Sequence, residues 1–244
     1  MAGAFRLNPA LDAADYAAAY ARDGFVQVEN LLPDDVARAL ATVLERSTPW
    51  SLAYSDEAGG AVMLDQATLE RMAQDELRAR LGAVLQRGSS GFAYLYMVYP
   101  MIEAYLGGRD PGHPLHDLTE FLNSPEFIAF GAAVTGETVV KVDAQATLYR
   151  RGDFLTRHDD RGVGERRAAY TLGLTQGWRP DWGGQLLFHG DGADVTRGFA
   201  PRFNVLTLFK TPLWHSVAPV APYATRPRFM ITGWLRDDPP HSPS

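Results

Sequence analysis

The sequence predicts an α+β protein that is mainly β, a sandwich or barrel of short strands with helices in front of it. Three observations carry this reading. Up to Gly136, helical spacing alternates with isolated extended runs; beyond it, strand-like runs follow at 139–149, 168–175, 185–188, 204–209, 214–220 and 228–235, separated by Gly, Pro and Asp turns. No internal repeat or low-complexity segment divides the chain. At 244 residues, 46% hydrophobic and 21% charged, it can bury one large core. A single structural domain is expected: residues 1–137 as helical support with a few strands, 138–236 as the β core, and 237–244 as a disordered tail.

In chain order, residues 9–23 are expected to be helical, with Asp12 or Asp15 near the start and Gly24 ending an Ala-rich body. Phe25-Val26-Gln27-Val28 alternates as a short strand, and Pro33-Asp34-Asp35 opens a helix reaching about Arg46. Residues 50–65, with Gly59-Gly60, read as a loop or a short strand pair. Thr68 to Gln86 has one apolar stripe, Leu69, Met72, Leu77, Leu81 and Leu85, and reads as a single helix. Phe92 to Pro100 is dense in aromatic and branched residues and suits a strand, for which core packing is expected over cleft lining. The Gly- and Pro-rich stretch 107–117 reads as a surface loop. Its His113 and His116 are expected to be solvated and not metal ligands, because no third donor is near and Pro114 breaks a helix. Ser124 then caps a helix to Val134, with Pro125 at its first position.

Composition excludes several classes. The formal charge of −6, with only isolated pairs such as Arg150-Arg151 and Arg166-Arg167, argues against a nucleic-acid partner. Without cysteine there are no disulfides or thiolate sites, so a metal must be held by His and carboxylate. The start lacks the basic-then-apolar order of a signal peptide, and no run reaches the ~18 apolar residues of a membrane span, so a soluble, cytoplasmic protein is expected.

The chemistry concentrates between Thr147 and Asp160, TLYRRGDFLTRHDD. On an extended segment, alternate side chains share a face, so His158 and Asp160 can reach one ion while Asp159 turns away. His215, inside the apolar run LTLFKTPLWHSV, offers a third donor. Two imidazoles and one carboxylate hold one face of a non-haem Fe(II) ion and leave the opposite positions open. Arg228 precedes the apolar run Phe229 to Ile231, which favours an inward role meeting an anion, whereas Arg226 reads as a surface charge.

These residues, together with those flanking them, resemble the Fe(II)/2-oxoglutarate-dependent dioxygenase superfamily, and most of all its prolyl-4-hydroxylase-like branch. The resemblance rests on Tyr149, Gly152-Asp153-Phe154 and His158-Asp159-Asp160; on Trp178 and Trp182 to Phe188; on Pro201 to Phe209; on His215-Ser216-Val217; and on Arg228 with Gly233-Trp234. It covers residues 138–236 and implies a double-stranded β-helix, or jelly-roll. It further implies that His158, Asp160 and His215 bind Fe(II), that Arg228 pairs with the distal carboxylate of 2-oxoglutarate, and that Tyr149 donates a hydrogen bond to that cosubstrate. Relatives often place a tyrosine on the strand after the ligand pair; here Gly173 stands near that place, and Thr171 or Tyr149 is the substitute. The resemblance also implies O2 as co-reactant and ascorbate as a candidate stimulant.

The implied reaction is hydroxylation of an unactivated carbon in a prolyl or other side chain of a protein or peptide. The alternatives are an oxygenase acting on a free amino acid or natural product, and a noncatalytic cupin-like metal module. Leu148, Leu155, Leu187 and Trp234 are candidates for tuning access, with packing an equal reading. The segment 161–167 is read first as a solvent loop and second as a lid.

Overall fold

The computed structural model describes residues 5–160, 165–192 and 194–239. The first half runs α1 (Ala14–Asp23), β1 (Phe25–Glu29), α2 (Asp34–Arg46), β2 (Ser51–Ser55), β3 (Ala61–Leu64), α3 (Gln66–Arg71), α4 (Gln74–Gly88), β4 (Tyr94–Tyr99), α5 (Met101–Leu106), α6 (Pro114–Leu122) and α7 (Pro125–Thr135). The second half is almost all strand: β5 (Lys141–Val142), β6 (Gln145–Tyr149), β7 (Phe154–His158), β8 (Arg166–Gly173), β9 (Leu186–His189), β10 (Val195–Phe199), β11 (Val205–Lys210), β12 (His215–Val217) and β13 (Arg228–Arg236).

One antiparallel sheet, in the order β1-β11-β8-β13-β6-β4-β7-β12-β9-β10, curls into a half-barrel consistent with the expected jelly-roll. Two strands from the helical half enter it directly. β1 pairs with β11 along its whole length, and β4 bridges β6 and β7, while the β2–β3 hairpin hangs from β4.

Strand periodicity divides the work between the two faces. Leu172, Leu206, Leu208, Ile231 and Leu235 point outward under the helices, where they pack with Leu40, Leu44, Leu115, Leu118 and Phe127. Each such leucine, fully buried, contributes about 2 kcal/mol of transfer free energy. The alternate residues face the inside of the curl and surround a cavity. The strands therefore read as nearly continuous apolar runs, because both faces are covered.

Local chemistry fixes the helix ends. Ser124 accepts from the Phe127 N–H and Pro125 occupies the first turn of α7, while Gly24 and Gly136, at φ 76° and 73°, close α1 and α7 in the left-handed conformation. Elsewhere the structure corrects the sequence reading. The stripe from 68 to 86 is two helices: Asp65 caps α3 by accepting from Thr68 N (2.7 Å), and extended backbone at Met72 and Ala73 separates it from α4. The stretch 107–117 is not all loop, because Pro114 opens α6 at a position whose N–H has no helical partner anyway. His113 caps that helix, accepting from Leu115 N (3.3 Å), and packs on Tyr99, while His116 packs on Tyr105. Both histidines are half-buried packing residues. Residues 240–244 of the expected tail lie outside the described residues, whereas Asp238 pairs with buried Lys141 at 2.6 Å. Among the described residues, no helix is long and apolar enough to cross a membrane.

Close backbone crossings demand glycine. A Cβ on Gly233 would overlap the Asp143 carbonyl oxygen and stand 3.0 Å from the Tyr170 ring, whereas one on Gly82, on the exposed side of α4, meets nothing within 4 Å. Gly233→Ala should therefore destabilise by about 1–3 kcal/mol, and Gly82→Ala should stabilise by about 0.5–1 kcal/mol. Urea unfolding of the two variants checks the opposite signs.

Candidate metal centre

Pairing of β12 with β7 sets His215 opposite His158, with ring centroids 4.1 Å apart. Beyond the end of β7, Asp160 takes a left-handed conformation (φ 58°), which an aspartate tolerates and which turns its carboxylate back toward the histidines. His158 Nε2 lies 3.6 Å from Asp160 Oδ1, and His215 Nε2 lies 3.7 Å from Asp160 Oδ2. The three donors fall within 4.8 Å of one another, and among the described residues they are the only such cluster of His, Cys, Asp or Glu.

The donor set fits a ferrous ion on its own geometry. His158 Nδ1 lies 3.0 Å from the Thr156 carbonyl and His215 Nδ1 lies 2.7 Å from the Leu213 carbonyl, so each Nδ1 carries the proton and each Nε2 presents a lone pair. Burial, reinforced by His158, pushes the His215 pKa down to about 4, which keeps that ring neutral. The Trp234 indole N–H donates to Asp160 Oδ2 (3.0 Å), and Arg166 Nη1 stands 3.7 Å from Oδ1 with its guanidinium stacked 3.5 Å over the Trp234 ring. Three protein donors leave the remaining positions of an octahedral ion open.

A cavity of about 620 Å³ leads away from the triad. At its deep end Arg228 is 1% exposed, its guanidinium lies 4.9 Å from the Tyr149 ring centroid, and its Nε has no hydrogen-bond partner among the described residues. Burial pushes its pKa down to about 10, still a cation at neutral pH, and pushes the Tyr149 phenol up, so that group stays a donor. Thr171 lines the same cavity. Arg226 stays outside, exposed, with Nη1 donating to the Gln176 carbonyl (2.9 Å). The Gly183-Gly184 turn, φ 72° and 67°, lets the chain pass Arg228, since a Cβ on Gly184 would stand 3.0 Å from Arg228 Cδ.

Gly173 has a reason of its own. A Cβ there would overlap the Arg202 carbonyl oxygen, so the turn before β11 fills the space that a side chain on this face would use. Thr171, two residues earlier on the same face, is what β8 offers the cavity instead.

The aromatic run on β4 departs from the expected core role. Phe92, Tyr94, Tyr96 and Val98 line the cavity, and the alternate Leu95 and Tyr99 pack into the core. Centroid spacings of 5.8 Å (Phe92 to Tyr94), 5.3 Å (Tyr94 to Tyr96) and 5.0 Å (Tyr96 to Tyr149) make a continuous wall from the mouth to Arg228. Burial pushes Tyr96 up to about 12. Leu155 and Trp234 also line the cavity, but Leu148 lies under the helices and Leu187 is turned away against Gly198. Residues 161–164 lie outside the described residues, and Arg166 and Arg167 belong to β8 and not to a loop. Sequence reasoning missed Arg166, Tyr96 and the polar use of Trp234; period-2 alternation from Tyr94 was a usable signal for Tyr96.

Comparison with known proteins agrees with the geometry. Residues 144–236 match the family model of the 2OG-Fe(II) oxygenase superfamily. Among solved structures the fold is similar to a Pseudomonas putida prolyl-4-hydroxylase, at 22% identity and TM-score 0.58 over 93% of this chain and 99% of that one. It is also similar to a Trichoplax adhaerens prolyl hydroxylase in complex with a hypoxia inducible factor oxygen degradation domain peptide fragment, at 18% identity and TM-score 0.59 over 92% of this chain and 89% of that one. A Burkholderia pseudomallei oxidoreductase of the 2OG-Fe(II) oxygenase family follows at 16% identity and TM-score 0.57, over 96% of this chain and 95% of that one. No curated protein matches the chain. The family match spans the strands that bear the triad and Arg228, so residues 144–236 resemble the 2OG-Fe(II) oxygenase superfamily in the part of the chain that carries the candidate site.

Proposed function

We propose that the protein is a 2-oxoglutarate-dependent dioxygenase that hydroxylates an unactivated carbon in a prolyl or other side chain of a protein or peptide, with His158, Asp160 and His215 as its iron ligands. The observation that carries this reading is Arg228: a buried guanidinium with an unpartnered Nε, in the same cavity as a two-histidine, one-carboxylate cluster. A metal-binding module has no use for a buried cation beside its ion, whereas a dicarboxylate spanning the two explains both.

When bound, ferrous iron with 2-oxoglutarate and O2 supplies an oxidant that converts a C–H bond to C–OH while the cosubstrate leaves as succinate and CO2. The chain's own residues place the reactants. Arg228 and the Tyr149 hydroxyl bind the distal carboxylate, with Thr171 at hand on β8. Both histidines would keep their protons on Nδ1, donated to backbone carbonyls, so that each Nε2 lone pair stays free to ligate, and Trp234 would fix the Asp160 carboxylate. Leu186, Phe209 and Val217 line the inner wall and exclude water from the reacting centre.

Support for a protein or peptide substrate comes from the mouth. Met63 on the β2–β3 hairpin is 48% exposed and Phe92 is 43% exposed, and both line the cavity, an apolar edge that suits a chain docked on the surface with one side chain inserted. Two of the similar structures are described as prolyl hydroxylases, one with a bound peptide.

His158→Ala and Asp160→Ala should each reduce Fe(II)-dependent succinate formation to background; full turnover in either would remove the ligand assignment. Arg228→Ala should raise the KM for 2-oxoglutarate by about 100-fold, with Arg226→Ala within about twofold, as an exposed charge would behave. Trp234→Phe should weaken Fe(II) binding by about tenfold through loss of the hydrogen bond to Asp160, measured by metal titration of the apoprotein. Succinate release tested separately with peptide extracts and with free amino acids identifies the substrate pool, and a response to free amino acids alone would overturn the peptide reading.

A further inference from the structure

The register of the sheet places a row of polar side chains across the inside of the curl. Gln27 on β1 stands opposite Thr207 on β11, Thr207 opposite Thr171 on β8, Thr171 opposite Thr232 on β13, and Thr232 opposite Gln145 on β6. The neighbouring row, Phe25, Phe209, Ala169 and Trp234, is apolar. Buried hydroxyls in such a place need partners.

At one end of the row, beside Arg228, a second small cavity of about 10 Å³ is lined by Gln27, Thr171, Thr207, Arg228 and Met230 under the Phe199–Arg202 turn. That volume is about what one water centre requires. The donors and acceptors around it have a direction. Arg202 Nη2 donates to Gln27 Oε1 (2.9 Å), and Gln27 Nε2 donates to Thr207 Oγ1 (3.1 Å), which leaves the Thr207 hydroxyl proton to donate inward. Arg228 Nε–H is buried and has no hydrogen-bond partner among the described residues.

We propose that one ordered water sits in this cavity, accepting from Thr207 Oγ and Arg228 Nε and donating to Thr171 Oγ, and that it fixes the guanidinium plane for the cosubstrate. Thr207 and Gln27 are then positioning residues, acting on 2-oxoglutarate only through Arg228. Arg202, which also pairs with Glu29 (2.7 Å), anchors the chain of hydrogen bonds at the surface. An N-terminal strand thereby becomes part of the cosubstrate site.

The water itself does not depend on the proposed reaction; its effect on KM does. In a high-resolution crystal structure of the wild-type protein, density for a water within hydrogen-bond distance of Arg228 Nε is expected, and it should vanish in Thr207→Val and return in Thr207→Ser. The 15N-detected Nε–H resonance of Arg228 should be protected from solvent exchange in the wild type and shift in Thr207→Val and in Gln27→Met. The KM for 2-oxoglutarate should rise about fivefold in Thr207→Val, with kcat changed by less than about twofold and Thr207→Ser restoring the wild-type value. Wild-type density empty at that place, or an Arg228 resonance indifferent to both substitutions, overturns the proposal. Wild-type protein without 2-oxoglutarate turnover would defeat the functional reading instead, and the density and the resonance would still decide the water.

Discussion

A guanidinium taken out of water without a protein anion beside it is the constraint on which this structure depends. An isolated buried cation costs several kcal/mol, and Arg228, 1% exposed, has no ion-pair partner among the described residues, its guanidinium lying 4.9 Å from the Tyr149 ring centroid. Most of the surrounding architecture keeps that charge where it is. The Gly183-Gly184 turn gives it room, Trp178, Trp182 and Val220 pack behind Tyr149, and the Arg202 turn closes the far side over Gly173. A site under such tension is one that an anionic ligand relieves, and binding then stabilises the fold as well as the complex.

The division of the sheet into two faces explains how so small a chain holds both a large core and a large cavity. One set of alternate residues is committed to the helices, and its leucines and isoleucine supply the burial that holds the strands in a curl. The other set is released from core duty and lines the cavity that holds the candidate metal cluster. Two strands of the helical half, β1 and β4, are members of the same sheet, and both present side chains to the inner face.

How much of this was legible beforehand follows from the range of each signal. His158 and Asp160 were legible because period-2 spacing is local, and Arg228 was distinguishable from Arg226 because an apolar run follows it directly. Trp234 donating to Asp160, Arg166 stacked on Trp234, and Tyr96 against Tyr149 were not, because each depends on which strands lie side by side, and no local pattern encodes that. β10 escaped because an exposed edge strand with the residues VTRGF has no buried face to give it alternation. α6 escaped because proline was weighed as a helix breaker at the one place where it is a good helix starter.

The imidazoles of His158 and His215 are each oriented by a carbonyl two residues upstream on their own segment, Thr156 for His158 and Leu213 for His215. Such a bond is set by local backbone conformation and not by distant neighbours, so the ligand geometry is largely prepaid in the folding of β7 and β12. Under the proposed ligand assignment, an incoming ion would have little ordering left to impose. Replacement of the wall residues around the mouth can in consequence alter which molecule is admitted while the coordination frame stays as it is, and one scaffold can serve unrelated acceptors over the course of divergence.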